Sequence, residues 1–159
     1  PWYGLNRAEE LEVQAYMKIC SQIINENPGK KIMILNRKGS FLGKDLDEIE
    51  RILKSPKLCK VDHPDIYVKT VHRSKGEEAD IVILTEVDEN CFPIFHQDSN
   101  LFSIFGENEL TIMEDEARLY YVALTRAKHS IYIFFSKKSP SCFIADPSQA
   151  SKKRFNAKK

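Results

Sequence analysis

A chain of 159 residues whose 24 lysines and arginines nearly balance 23 aspartates and glutamates is one domain's worth of sequence and, at net charge +1, no generic polyanion binder. Its 42% hydrophobic and 30% charged residues exclude a disordered or fibrous chain, so any nucleic-acid contact must come from a local patch. No apolar run approaches the ~18–20 residues of a membrane span, and no signal peptide is recognisable. Cys20, Cys59, Cys91 and Cys142 include no C-x-x-C pair. That argues against a zinc site or a disulfide framework and leaves reduced thiols and a cytoplasmic location as the expectation.

Trp2 and Tyr3 form an aromatic lead-in. Leu11, Ala15, Ile19 and Ile23 then recur at helical spacing, with Tyr16 and Cys20, and predict a helix from Ala8 to about Asn25. Asn27-Pro28-Gly29 stops it. Ile32–Leu35 is a short, fully apolar run of the kind that forms parallel strands buried on both faces. The loop Asn36-Arg37-Lys38-Gly39-Ser40 follows, and then Leu46–Leu53 as a helix with Leu46, Ile49 and Leu53 on one face. Helix and strand alternating in this way predict an α/β, doubly wound fold with a mostly parallel sheet. Ligands of such sheets gather at the carboxyl ends of strands, where Arg37 stands. The alternative is an ordinary exposed loop arginine.

Ser55–Asp65 reads as a linker, and its His63 lacks companions for a metal. Ile66–Val71 and Asp80–Glu86 read as strands around a polar loop. Ile94–Ile112, with Phe95, Phe102 and Phe105, has no clear period. It is either a satellite core under a long loop or a surface that stacks on bases. The domain is expected to occupy residues 1–147. Residues 148–159, with Lys152, Lys153, Arg154, Lys158 and Lys159, are expected to be a basic, disordered tail.

Two stretches carry chemistry. In TVHRSKGEEAD, Thr70–Asp80, Gly76 allows a positive φ or close approach of a ligand, Lys75 offers a point charge, and Glu78 can accept hydrogen bonds from hydroxyls. In EDEARLYYVALTRAK, Glu114–Lys128, the acids Glu114, Asp115 and Glu116 suit a helix N-terminus and Arg126 and Lys128 the opposite end. Leu119–Leu124 leave almost no polar face, which predicts a mostly buried helix. Arg118 and Arg126 must then each find a carboxylate, carbonyls or a phosphate, since an unpaired buried guanidinium costs several kcal/mol. A structural ion pair and a bound anion both meet that need, and Arg118, further inside the helix, is expected to be the structural one.

Together these stretches resemble motifs V and VI of the UvrD/Rep-type superfamily 1 helicases, approximately T-x-H-x-x-K-G-L-E and E-E-R-R-L-x-Y-V-A-x-T-R-A. The resemblance extends from about Lys31 to Phe143: Val87–Pro93 is similar to the family's E-G-x-F-P ending, and IYIFFSKKSPSCF to the segment after motif VI in the helicase IV branch. It implies the second RecA-like domain of a 3′–5′ DNA helicase, a three-layer P-loop-NTPase-type fold without its own P-loop. ATP and Mg²⁺ would be held by an N-terminal RecA-like domain elsewhere in a longer protein. By this resemblance Arg126 and, from motif IV (strand, then Y-R-[ST]-N), Arg37 are arginine fingers against the γ-phosphate. Glu78 takes the ribose hydroxyls with the Gly76 backbone close by. Thr70, His72 and Lys75 lie beside single-stranded or partly duplex DNA.

Three departures stand out: Asn36 where motif IV has an aromatic residue, Glu77 where motif V usually has leucine, and Ala117 for one arginine of E-E-R-R. The sequence has no G-x-x-x-x-G-K-[ST], and no apolar strand ending in an Asp-Glu pair, so this chain alone is expected not to hydrolyse ATP. Two other readings stay open. One is a non-catalytic RecA-like module that binds nucleic acid or a partner. The other is the helicase portion of a nuclease-fused recombination enzyme.

Overall fold

The computed structural model describes residues 7–41, 43–62, 64–89, 91–94, 109–136 and 139–144, with side-chain surroundings in the first helix from Val13 onward. Trp2, Tyr3, His63, Phe95, Phe102, Phe105 and the basic tail lie outside the described residues. The elements run α1 (Arg7–Glu26), β1 (Ile32–Asn36), β2 (Ser40–Phe41), β3 (Lys44–Asp45), α2 (Leu46–Leu53), β4 (Ile66–Thr70), a 3-10 turn (His72–Ser74), β5 (Ala79–Leu84), α3 (Glu109–Leu124) and β6 (Ala127–Ile133).

Strands β1, β4, β5 and β6 form an all-parallel sheet in the order β4-β1-β5-β6. The central strand β1 is buried at every position, as its uninterrupted apolar run requires. Alternation divides its side chains. Ile32 and Ile34 pack with Ile66, Val68, Ile81 and Ile83 under α1 and α2. Met33 and Leu35 pack with Val82, Leu84 and Ala123 of α3 on the other face. The result is the expected three-layer α/β fold with a wholly parallel main sheet.

In α1 the buried stripe is Val13, Met17, Cys20, Ile23 and Ile24, whereas Ala15 is exposed and Ile19 half-buried. The helix extends where the sequence predicts and the expected Cys20 and Ile23 are buried, but Val13, Met17 and Ile24 complete the stripe in place of Ala15 and Ile19, so the face is partly rotated. Small and β-branched residues at the margin gave the expected stripe as much apolar character as the true one. The burial pushes the Cys20 thiol up to about 12, which leaves it a packing group. In α2 the expected residues Leu46, Ile49 and Leu53 are the buried ones, and Asp45 caps the helix by accepting the Asp47 N–H at 3.3 Å.

Three features differ from the sequence reading. A two-residue antiparallel hairpin, β2–β3, precedes α2 and drives Phe41 into the core, edge-on to Tyr16 with centroids 5.5 Å apart. Two-residue strands are too short to show alternation. Second, α3 begins at Glu109, so Glu114, Asp115 and Glu116 lie within the helix rather than at its N-terminus. Third, α3 is not mostly buried: among its described side chains only Glu116 and Ala123 are, while Tyr121 is 67% exposed and Leu110 74%. The sheet face beneath it is shared with the chain after β6. There Phe143 stacks on Tyr120 at 5.1 Å and meets Phe92 edge-on at 6.0 Å, so the helix needs only one stripe to cover the rest. No helix among the described residues is long and apolar enough to cross a membrane.

Truncating a well-packed core aromatic costs about 3–5 kcal/mol, and a substitution on an open surface about 0.5 or less. Phe41→Ala is therefore expected to lower urea stability by the former amount and Tyr121→Ala by the latter. Comparable losses in the two midpoints would contradict the packing described.

Candidate nucleotide and nucleic-acid interface

All strands point one way, so loops at their two ends form two separate platforms. At the carboxyl end, Asn36 finishes β1 with its side chain buried. Its Nδ2 donates to Thr85 Oγ1 at 3.0 Å and to Glu86 Oε2 at 2.7 Å, and its Oδ1 accepts the Lys38 N–H at 2.6 Å. An aromatic ring in its place would forfeit those bonds, which accounts physically for the asparagine. Thr85 returns its hydroxyl proton to the Leu35 carbonyl. This network fixes the root of the loop that carries Arg37. Arg37 itself reaches α3: Nε lies 3.0 and 3.1 Å from the two carboxylate oxygens of Glu116, and Nη2 is 2.5 Å from Oε1. Arg37 is thus neither an exposed loop arginine nor an unpartnered one.

Beside it, β4 ends at Thr70. Thr70 Oγ1 accepts the Arg73 N–H at 3.2 Å, and buried Ser74 donates to the Val71 carbonyl at 2.7 Å. These two hydroxyls wind His72–Ser74 into its 3-10 turn and leave His72 and Lys75 exposed on the outside. A polar cavity of about 280 Å³ lies alongside, lined by Gly39, Asp45, Asp47, Lys69, Thr70 and Arg73. Of the expected DNA-facing residues it includes Thr70 only.

The segment then descends to the amino end of the sheet. Gly76 has φ +82° with open space where a Cβ would stand, so backbone conformation rather than crowding calls for glycine. Glu77 folds back on Lys69, with Nζ–Oε distances of 2.6 and 2.9 Å. The Lys69 hydrogen bond holds the Glu77 carboxyl below its ordinary value of 4.5. The Glu77 carbonyl accepts Arg126 Nη1 at 3.2 Å, while the Ala79 N–H donates to the Arg126 carbonyl at 3.0 Å. Arg126 finds no carboxylate, and its Nε is buried without a hydrogen-bond partner among the described residues. Glu78 is exposed and lies 3.2 Å from Lys128, an open pair of little energetic consequence.

The expected site residues therefore fall into two groups. Gly76, Glu78 and Arg126 meet at the amino end; Arg37, Thr70 and His72 stand at the carboxyl end, with Lys75 on the connection. Arg37 and Arg126 share no partner, and their backbones are roughly 20 Å apart along the strands. Arg118 corrects the sequence reading. Its side chain is 72% exposed, and its ion pairs among the described residues are with Glu114 and Asp115 of its own helix. The structural arginine is Arg37, and its partner Glu116 is the residue the sequence reading missed. Glu116, Tyr120 and Ala123 share one helix face, and a carboxylate on that stripe was the available signal.

The sequence family whose profile the chain matches, over residues 7–138, is the UvrD-like helicase C-terminal domain. The chain belongs to that family. It is 36% identical over 124 residues to DNA helicase IV of Escherichia coli, covering 74% of this chain and 16% of that protein. A probable DNA helicase II homolog of Mycoplasma capricolum is 31% identical over 111 residues, covering 70% of this chain and 13% of its own length. The RecBCD enzyme subunit RecB of Borreliella burgdorferi is 27% identical over 134 residues, with 74% of this chain and 11% of that protein covered. A solved C-terminal domain of a possible DNA helicase from a Lactobacillus has a TM-score of 0.44 at 16% identity, over 88% of this chain and 73% of its own. The chain thus spans about a sixth or less of the curated relatives' length.

Breaking one side of a buried pair costs about 3–5 kcal/mol, because the other charge is left uncompensated. Glu116→Ala is expected to lose that much in this UvrD-like domain, Arg118→Ala less than about 0.5 kcal/mol, and Arg126→Ala only about 1 kcal/mol, since a single backbone bond is lost. Urea denaturation of the three variants checks the ranking. A second expectation concerns acid. The lowered Glu77 contributes stability that is present above its ordinary 4.5 and lost as pH falls through its lower folded value. Lys69→Met should flatten that acid limb in melting temperatures measured below pH 4.5, and high salt should do the same to the wild type.

Proposed function

We propose that this chain is the C-terminal motor domain of an ATP-dependent 3′–5′ DNA helicase, completing a nucleotide site whose other half lies on an N-terminal RecA-like domain. The observation that carries the reading is the state of Arg126. Its guanidinium is fixed beside the Gly76–Glu78 loop by one backbone carbonyl, and among the described residues its Nε is buried and unsatisfied and no acid neutralises it. A cation held so has donors to spare for an anion arriving from outside the chain. A folded domain normally finds partners for such a group, so an incomplete site is the economical explanation.

On this reading Arg126 stabilises charge developing on the γ-phosphate, whereas Arg37, closed onto Glu116 at the carboxyl end roughly 20 Å away, does not reach the same phosphate. A donor fixed as Arg126 is needs no reorganisation as the charge grows. Exposed Glu78 accepts from the ribose hydroxyls, and the positive φ of Gly76 shapes the backbone next to it. Mg²⁺, held by the partner domain, would neutralise phosphate oxygens; among the described residues here no cluster of three metal-ligating side chains exists. At the other platform, Thr70, His72 and Lys75 take the backbone of single-stranded DNA. Because the 71–78 segment joins the two platforms, a nucleotide-dependent shift at Glu77–Glu78 has a short covalent route to the DNA-facing turn. The proposed location is cytoplasmic, where ATP and DNA are both available to such an enzyme.

One observation favours a second reading, the helicase portion of a nuclease-fused recombination enzyme: the similarity to a subunit named RecB. Both readings place the same chemistry in this domain.

Arginine fingers contribute ~10³–10⁵ in rate in related phosphoryl transfer. Arg126→Ala in the full-length polypeptide is expected to lower DNA-stimulated ATP hydrolysis by that order while ATP binding, followed with a fluorescent analogue, stays close to wild type. The isolated chain should show no turnover with or without DNA. Turnover by the isolated chain, or an Arg126→Ala enzyme of normal rate, would refute the half-site reading.

A further inference from the structure

The Gly76–Glu78 loop that receives Arg126 is anchored at its middle residue. Gly76 contributes no side chain, and exposed Glu78 reaches outward to Lys128 at 3.2 Å. Glu77 is held at two points instead. Its N–H donates to the Ser74 carbonyl at 3.0 Å, and its carboxylate oxygens accept from Lys69 Nζ at 2.6 and 2.9 Å. Lys69 comes from β4, which is paired with β1 along its whole length. Its ammonium lies 5.2 Å from the ring centre of Tyr67, two residues earlier on the same strand face. The loop is thus tied to the sheet through one lysine. Both side chains are half-buried, with 27% of Lys69 and 35% of Glu77 exposed.

The arrangement carries a hazard as well as a support. The Glu77 carbonyl is the acceptor of Arg126 Nη1, so the carboxylate of the same residue is within a side-chain rotation of the guanidinium. An acid that swung across would neutralise Arg126 and take the donors that an incoming anion needs. Leucine, the usual residue of motif V at this position, could not compete in that way.

We propose that Lys69 is a positioning residue for Arg126: it keeps the Glu77 carboxylate on β4 and off the guanidinium, while the Glu77 carbonyl stays on it. The inference rests on the phosphate-facing reading of Arg126. It adds to that reading a residue outside the family's motif words, since Lys69 precedes Thr70, where the motif V pattern begins. The lysine does not touch the nucleotide; it acts through the arginine. A tie between half-exposed groups is weak, so the expected effect comes from the freed acid rather than from lost stability.

Turnover separates this role from a structural one. In the full-length polypeptide at saturating single-stranded DNA, Lys69→Met is expected to lower kcat for ATP hydrolysis roughly tenfold, with KM for ATP moved less than about twofold. Lys69→Arg, which keeps a cation within reach of the carboxylate, should stay within about threefold of wild type. The decisive variant combines Lys69→Met with Glu77→Leu. Removing the acid together with its lysine should return kcat to within about threefold of wild type, whereas a purely structural pair, already broken by either change, would recover nothing. In an Arg126→Ala background, Lys69→Met should change kcat no further. Should Lys69→Met fail to fold, Lys69→Gln carries the same test with a polar side chain. A double variant no better than Lys69→Met, a Lys69→Met enzyme of normal rate, or losses that multiply with Arg126→Ala would overturn the positioning role and leave the reading of Arg126 intact. A silent Arg126→Ala would remove that reading and the proposal with it.

Discussion

Because β1 and β5 are covered on both faces, their side chains have no route to water except at the strand ends. That constraint concentrates the polar chemistry of the domain into two platforms. Every buried hydrogen-bonding group near them must be satisfied locally. Asn36, Thr85 and Glu86 satisfy one another at the carboxyl end, and Thr70 and Ser74 are consumed by the turn that follows β4. The exposed His72 and Lys75 are what remains available after that accounting.

Two cations break the pattern in opposite ways. Arg37 is answered by a buried carboxylate from the facing helix, and Arg126 by a single backbone carbonyl. The difference follows from where each stands. Arg37 leaves β1 directly beneath α3, where Glu116 is within reach. Arg126 lies in the turn between α3 and β6, where the nearest chain is the 77–79 backbone.

Glu77 shows how a departure from a family pattern can be structural rather than functional. An acid where leucine is usual places two carboxylates side by side, yet the first turns toward Lys69 on β4 and the second faces solvent near Lys128. Lys69 separates them by drawing Glu77 back onto the strand. The same contact steadies the carbonyl that receives Arg126, so the unusual residue supports the arginine rather than competing with it.

Local pattern was sufficient for the strands β1, β4 and β5, for α2 with its buried Leu46, Ile49 and Leu53, and for the family, whose motifs are contiguous words in the chain. Those features depend on periodicity and on neighbouring residues, which a sequence displays directly. The rotation of α1, the burial of Phe41, the exposure of Arg118 and the pairing of Arg37 with Glu116 depended on which surfaces face each other across many residues. Arg118 has apolar neighbours in sequence, but successive helical residues point about 100° apart and do not share an environment. Glu116 and Arg37 are far apart along the chain and meet only because α3 lies over the end of β1. Sequence determined which segments fold and to which family they belong; only packing decided which charges are buried, since burial belongs to a pair of surfaces and not to a residue.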